Sequence, residues 1–171
     1  YIGVSNFGVN LLEKCEAIHH VNSLQIPYSL VNRDVEKDIS WCKQHGVGVI
    51  VYSPMQSGLL TGKFSREKLE SLPTGDWRVK GSILRESRYF TEPLFSKVLN
   101  FVDRLRPIAE KYGRNVGQLA ISLVLMNKAI ASASVGARHP IQVEQNVGGT
   151  NWRIADIDIQ EINTIYQGIF R

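Results

Sequence analysis

Polar and flexible residues follow an apolar stretch in the first third of the chain, where residues 47–51 give way to a Tyr-Ser-Pro sequence. The β-branched run is typical of a strand that is buried on both faces. Behind it come an aromatic ring, hydroxyl groups, glycines and finally Lys63. Ligands bind at the carboxyl ends of the strands in α/β folds. The junction between Val49 and Lys63 is therefore the first place where the sequence predicts a function.

Three other predicted strands end in polar groups of complementary chemistry. Amides occur at the first and second strands, and an arginine and further amides follow the fourth. Amide side chains offer a donor and an acceptor to a carboxamide, and a tyrosine ring can stack on a planar heterocycle. Glycines, helix N–H groups, Lys and Arg suit phosphates. Together these groups predict a site for a dinucleotide with a nicotinamide at one end. The groups at the three strand ends are Ser5, Asn6, Gln25, Gly136, Arg138, Gln142, Gln145 and Asn146.

The order of the elements predicts a parallel sheet. The pattern is β-α-β-α-β, a long insert, then α-α-β-α-α, and strands that alternate with helices pair in parallel through right-handed crossovers. A (β/α)8 barrel needs roughly 250 residues, so the 171 residues here predict half a barrel. Its two open edges would expose unpaired backbone groups, which favours self-association or poor solubility.

Several local features are also predicted. Asn10 and Asn115 are expected to cap helices, and Asp156 or Asp158 should cap the last one. Pro107 should kink a helix or begin a new one. Residues 65–93 are too long and polar for a tight connection, and such an insert either closes over a ligand or has no defined role.

Composition restricts the class of protein. A hydrophobic fraction of 43% and a charged fraction of 21% are typical of a soluble globular chain. The net charge of +4 is spread along the sequence and does not indicate a nucleic-acid partner. Cys15 and Cys42 lack metal or redox-motif spacing, so buried or half-buried thiols in a reducing cytoplasm are expected. No apolar run predicts a membrane span, and a start at Tyr1 suggests that the natural N-terminus is missing.

Three stretches closely resemble the aldo-keto reductase family: residues 1–7, residues 51–63 and residues 135–142. The third is most similar to bacterial-type members. The resemblance covers almost the whole chain and implies the C-terminal half, strands five to eight, of an aldo-keto reductase (β/α)8 TIM barrel. Residues 1–171 would then be part of a single barrel domain with a long loop insert at about 64–92.

The resemblance also implies roles for the residues at the strand ends. Tyr52 would stack under the nicotinamide ring, and Arg138 would contact a 2′-phosphate, which favours NADPH. The carboxamide would be held by Ser5, Asn6 and Gln25. The pyrophosphate and ribose would contact Ser53, Pro54, Gln56, Ser57, Leu59 and Lys63. The adenosine end would be surrounded by Gly136, Arg138, Gln142, Gln145 and Asn146.

Each of these roles has a simpler alternative. Tyr52 could be a half-buried core aromatic, Asn6 a turn residue and Lys63 an ordinary surface lysine. Gln25 would be unusual in a short buried strand, because a buried amide must find hydrogen-bond partners. The strand-end context favours the stacking role of Tyr52, and the need for partners favours a functional Gln25. The predicted helix start beside Arg138 favours an anion there.

The activity implied by the resemblance is NADP-dependent reduction of aldehydes or ketones to alcohols by hydride transfer. The family's catalytic Asp, Tyr, Lys and His belong to the first half of the barrel, and their motifs do not occur in this sequence. No catalytic residue and no metal site is therefore predicted here, and the partner would be a small carbonyl substrate. Two alternatives stay open: a cofactor-binding protein without catalysis, similar to channel-associated β subunits, and an inactive fragment.

Overall fold

Four strands form one parallel sheet in the computed structural model, which describes residues 1–80 and 85–171. Their order in the sheet follows their order in the chain, as the alternation of strands and helices predicted. Ser5 pairs with Gln25, and Tyr52 lies between Pro27 and Ser134. The polar strand ends are therefore neighbours along one edge of the sheet. The strands are β1 (Gly3–Ser5), β2 (Ser23–Pro27), β3 (Gly48–Tyr52) and β4 (Ile130–Ser134).

Helices connect the strands and extend beyond the last one. Within residues 1–80 and 85–171, no helix is both long and apolar enough to cross a membrane. Two 3₁₀ helices, Gln56–Thr61 and Arg85–Phe90, flank the short helices of the insert. The α-helices are α1 (Val9–Glu16), α2 (Glu36–Gln44), α3 (Arg66–Glu70), α4 (Trp77–Lys80), α5 (Leu94–Lys111), α6 (Val116–Leu125), α7 (Pro140–Val147) and α8 (Asp156–Phe170).

The sheet is buried mainly on the face that the helices cover. Val49 and Val51 are fully buried, whereas Ile50 and Tyr52 on the other face of β3 are half-buried. The prediction that this strand is buried on both faces is therefore wrong. Gln25 is exposed for the same reason, since it lies on the face opposite Leu24 and Ile26.

Helix ends agree with the sequence at one position and differ at two. Asn115 caps α6, and its side chain accepts the N–H of Gln118. Asn10, however, lies inside α1, because the carboxylate of Asp38 from α2 accepts the Val9 N–H instead. The last helix begins after Ala155, so neither predicted aspartate is its cap.

The surroundings of Asp158 and of Pro107 also differ from what the sequence predicted. Asp158 pairs with Lys111 and accepts the phenol of Tyr112, which ties the start of α8 to the end of α5. This ion pair lowers the pKa of Asp158. Pro107 does not begin a new helix, because α5 runs through it with one face buried in the core.

The insert packs on the main core through aromatic rings. The Phe64 and Phe90 ring centres are 5.6 Å apart, and those of Trp77 and Phe90 are 5.5 Å apart, both in edge-to-face arrangements. Phe90 and the neighbouring Tyr89 are buried. Such contacts add to the apolar burial itself, so Phe64, Trp77 and Phe90 attach the insert to the domain. Residues 81–84 of the predicted insert lie outside the described part of the chain.

Candidate functional site

A cavity of about 700 Å³ opens at the carboxyl ends of β3 and β4. The turn after β3 forms one wall, and the loop from β4 into α7 forms the opposite wall. Such a volume lies within the range of small-molecule and cofactor sites. The predicted residues that line it are Ser53, Pro54, Ser57, Lys63, Gly136, Arg138, Gln142, Gln145 and Asn146.

The turn after β3 has an unusual backbone. Ser53, Gln56 and Ser57 have φ values of 54°, 47° and 52°, in the left-handed region that residues with a Cβ seldom adopt. Gly58 follows with φ 101°, a value that only glycine adopts at little cost. Left-handed backbone at non-glycine residues costs roughly 1–3 kcal/mol each and is concentrated at functional sites. The wall of the cavity therefore has a conformation that the rest of the fold must enforce.

Two of the residues predicted to contact the pyrophosphate and ribose, Gln56 and Leu59, do not line the cavity. Leu59 is fully buried in the apolar core. Gln56 is also fully buried, and its Oε1 accepts the hydroxyl of Ser29 at 2.8 Å. The left-handed backbone turns this amide inward, away from the cavity that Ser57 lines. No pattern in the sequence distinguished the inward residues of the turn from the outward ones.

The opposite wall is held together by its own amides. Gln142 accepts the backbone N–H of Arg138 at 2.7 Å, and Asn146 donates to the carbonyl of Gly136 at 3.4 Å. Pro140 is the first residue of α7, a position that proline favours. Gln142 and Asn146 therefore fix the loop that presents Arg138 to the cavity.

The floor of the cavity comes from the start of α6, for which the sequence predicted a helix cap but no place in a site. Asn115, Gly117 and Gln118 line it. A Cβ on Gly117 would lie 3.2 Å from the Met55 sulfur and 3.5 Å from the Thr61 Cα, so glycine permits the turn to approach. Gln118 also donates to the carbonyl of Gln145 at 3.0 Å. The helix thus connects both walls.

The cavity is lined by cations and by no carboxylate among the described residues. Lys63 and Arg138 were predicted, whereas Lys68 and Arg78 come from the insert and were missed. Arg78 is paired with Asp76 at 2.6 Å, and these hydrogen bonds lower the pKa of Asp76 to about 2. A lining of this kind attracts anions. The Lys and Arg residues spaced through the insert were the sequence signal that could have indicated its contribution of cations to the cavity.

The remaining predicted residues form a second group beside the cavity. The phenol of Tyr52 donates to Asn6 Oδ1 at 3.1 Å, and the Asn6 N–H donates to the Gln25 carbonyl at 2.9 Å. Asn6 has φ 59°, as expected of a turn residue. Burial, with a smaller contribution from the charge of Glu86, raises the pKa of Tyr52. The structure thus brings Ser5, Asn6, Gln25 and Tyr52 together, adjacent to Ser53 of the cavity wall.

Comparison with known proteins identifies the family. The profile of the Aldo/keto reductase family matches residues 1–167. The chain belongs to the aldo/keto reductase family. It is 31% identical over 169 residues to aldo-keto reductase YhdN of Bacillus subtilis, covering 97% of this chain and 48% of that protein. It is 27% identical over 158 residues to the NADH-specific methylglyoxal reductase of Escherichia coli, covering 92% and 45% respectively.

Solved structures agree with the barrel architecture. This aldo/keto reductase chain superposes on the glycerol dehydrogenase AKR11B4 from Gluconobacter oxydans with a TM-score of 0.86 and 28% identity. The match covers 98% of this chain and 49% of that one. The chain therefore spans about half the length of the relatives it matches, and its fold is that of half an aldo-keto reductase barrel, as the sequence predicted.

Proposed function

We propose that this chain is the cofactor-binding half of an NADP-dependent aldo-keto reductase, which in the complete protein reduces aldehydes or ketones to alcohols. The observation that carries the proposal is the position of the cation-lined cavity directly beside the Tyr52–Asn6 pair. One group suits phosphates and the other suits a planar ring with a carboxamide. A nicotinamide dinucleotide needs both groups side by side.

The donor set of the described residues fits this cofactor. Lys63 and Arg138 would balance phosphate charge from opposite walls, while Ser53 and Ser57 offer hydroxyl groups. Tyr52 would support the ring, and Asn6 and Gln25 would hold the carboxamide. When bound, NADPH supplies the hydride. This chain would bind and orient the cofactor. The resemblance places the proton-donating residues in the half of the relatives that this chain does not cover.

The choice between NADPH and NADH depends on Arg138. Arg138 lines the cavity beside the start of α7, and its guanidinium has no ion-pair partner in the described part of the chain. A guanidinium fork matches the oxygens of a 2′-phosphate. One relative is named NADH-specific, so NADH is the necessary comparison. We infer a preference for NADPH.

The names of two relatives indicate the general class of substrate. They are named for methylglyoxal and for glycerol, which are small oxygenated molecules. We infer a small carbonyl substrate for the complete protein. The absence of a disulfide between Cys15 and Cys42 suits a reducing compartment, and we infer a cytoplasmic location.

Calorimetric titration of the 171-residue chain with NADPH and with NADH tests the proposal. We expect one NADPH per chain and weaker binding of NADH. The chain by itself should not reduce methylglyoxal. Failure to bind either dinucleotide would refute the proposal. Binding by a longer form that contains the rest of the barrel, with no reduction of any small carbonyl, would instead favour a cofactor-binding protein without catalysis.

A further inference from the structure

A buried hydrogen bond lies directly behind the cavity wall. Ser29 and Gln56 are both fully buried, and the Ser29 hydroxyl donates to Gln56 Oε1 at 2.8 Å. The Gln56 Nε2 has no hydrogen-bond partner in the described part of the chain. Ser29 therefore provides the one described hydrogen bond that holds this amide.

The loop that carries Ser29 is itself firmly attached. The Ser29 hydroxyl also accepts the N–H of Asn32 at 3.0 Å, which closes a tight local turn. Arg33 donates to Asn163 of α8 at 3.1 Å, and its guanidinium lies 4.0 Å from the centre of the Tyr166 ring. On the other side, the buried phenol of Tyr89 donates to the Val31 carbonyl at 3.2 Å. Ser29 is thus a fixed point.

Residues 53–58, which pack against Ser29, need a rigid contact of this kind. Gln56 has φ 47° and Ser57 has φ 52°, and non-glycine residues keep this conformation only where the surrounding structure enforces it. The Gln56 N–H donates to the Ser53 carbonyl at 2.9 Å, and Ser57 is the next residue along the chain. Both serines line the cavity. A displacement of the Gln56 amide would therefore move the cavity wall.

We propose that Ser29 and Gln56 are positioning residues for the nucleotide site, and that their hydrogen bond holds residues 53–58 in the conformation that presents Ser53 and Ser57 to the cavity. The nature of the ligand rests on the proposed function above; the positioning of the wall does not. Gln56 acts from behind the site and does not contact the cofactor.

Two substitutions break this hydrogen bond in different ways. Ser29→Ala leaves the Gln56 amide buried without a partner, a change that also lowers stability. Gln56→Gly removes the amide and tolerates the left-handed backbone, so it keeps the test open if the first variant folds poorly. Ser122→Ala is the matched control, because Ser122 is a buried serine of α6 that does not line the cavity.

The first readout is amide hydrogen exchange, which needs no ligand. In Ser29→Ala and Gln56→Gly, exchange should rise about tenfold at residues 53–58, the change expected when one hydrogen bond no longer restrains a segment. Any rise in β2 and α8, caused by the lower overall stability, should be clearly smaller than the rise at residues 53–58, and the control should not alter residues 53–58. Unchanged exchange at 53–58, or the same rise throughout the chain, would overturn the proposal.

The second readout separates positioning from general loss of structure. Adenosine 2′-monophosphate lacks the pyrophosphate and would contact only the Arg138 wall, whereas NADPH would also contact residues 53–63. Both variants should bind NADPH about tenfold more weakly and adenosine 2′-monophosphate within about twofold of the original chain. Equal weakening of both ligands would overturn the positioning role. If the unaltered chain bound no NADPH, the proposed function would fail, and the exchange data would still decide whether the pair positions the wall.

Discussion

The Tyr52 hydroxyl donates a hydrogen bond of 3.1 Å to the side-chain oxygen of Asn6, which joins the end of β3 to the end of β1 across β2. The bond fixes the tilt of the Tyr52 ring beside the cavity wall. It also engages the Asn6 oxygen, so that in the proposed function the Asn6 amide nitrogen would be the donor to a carboxamide oxygen.

Tyr52 should contribute to affinity through its ring more than through its hydroxyl. Tyr52→Ala removes the stacking surface, and we expect NADPH affinity to fall about three- to tenfold, the effect of an aromatic contact of about 1 kcal/mol. Tyr52→Phe keeps the ring and should weaken binding less than threefold. Titration calorimetry of both variants measures the difference. Equal losses would show that the hydroxyl, and not the ring, determines binding.

Arg138 should distinguish the two nicotinamide cofactors. Arg138→Ala removes a charged hydrogen-bond donor, worth about 1.5 kcal/mol or roughly tenfold in affinity for a phosphate. We expect that loss for NADPH and little change for NADH. Lys128→Ala is the control, since Lys128 is exposed and does not line the cavity. Equal weakening of both cofactors would remove the assignment of the 2′-phosphate.

Gly149 should be essential for the contact between α7 and α6. A Cβ at this position would lie 2.8 Å from Ile121 Cβ and 3.1 Å from the Asn146 carbonyl. Gly149→Ala should therefore lower the free energy of unfolding by about 1–3 kcal/mol, as overpacking does. Urea denaturation measures the change.

The control for this substitution lies in α8. Gly168 has no atom within 4 Å of a Cβ built on it, so Gly168→Ala should raise the free energy of unfolding by about 0.5–1 kcal/mol through helix propensity. If Gly149→Ala were as stable as the original chain, the two helices would have to be less closely packed than described.

The two cysteines should differ in reactivity. Burial raises the pKa of Cys42 to about 11, so only about one thiol in a thousand is thiolate at pH 8. Its reaction with Ellman's reagent should accelerate as the pH rises towards 11 and on unfolding. Cys15 is only half-buried and should react first, in a phase that Cys15→Ser abolishes. Rapid modification of two thiols in the native chain at pH 8 would contradict the burial of Cys42.

The sequence predicted the sheet and the walls of the cavity because strand ends carry local signals. Asn115 is an example, since a cap depends on residues within one helical turn. Asn10 and Asp158 were misassigned because their helix ends are completed from elsewhere: Asp38 serves α1, while Asp158 pairs with Lys111. Such partners are distant in sequence, and no local pattern reports them.

The same reason explains the differences at the site. The direction of the Gln56 side chain depends on a left-handed backbone that a glutamine does not signal. Lys68 and Arg78 belong to an insert whose packing depends on aromatic contacts with Phe90. Motif spacing identified which segments meet, whereas the inward or outward direction of each side chain required the folded chain.

The most direct test of the central claim is amide hydrogen exchange of the 171-residue chain with and without saturating NADPH. We expect NADPH to slow exchange at both walls of the cavity, residues 53–63 and residues 136–146, and to leave α2, which contributes no residue to the cavity, unchanged. Protection confined to other segments, or no protection at either wall, would contradict the claim that this half of the barrel holds the nicotinamide cofactor.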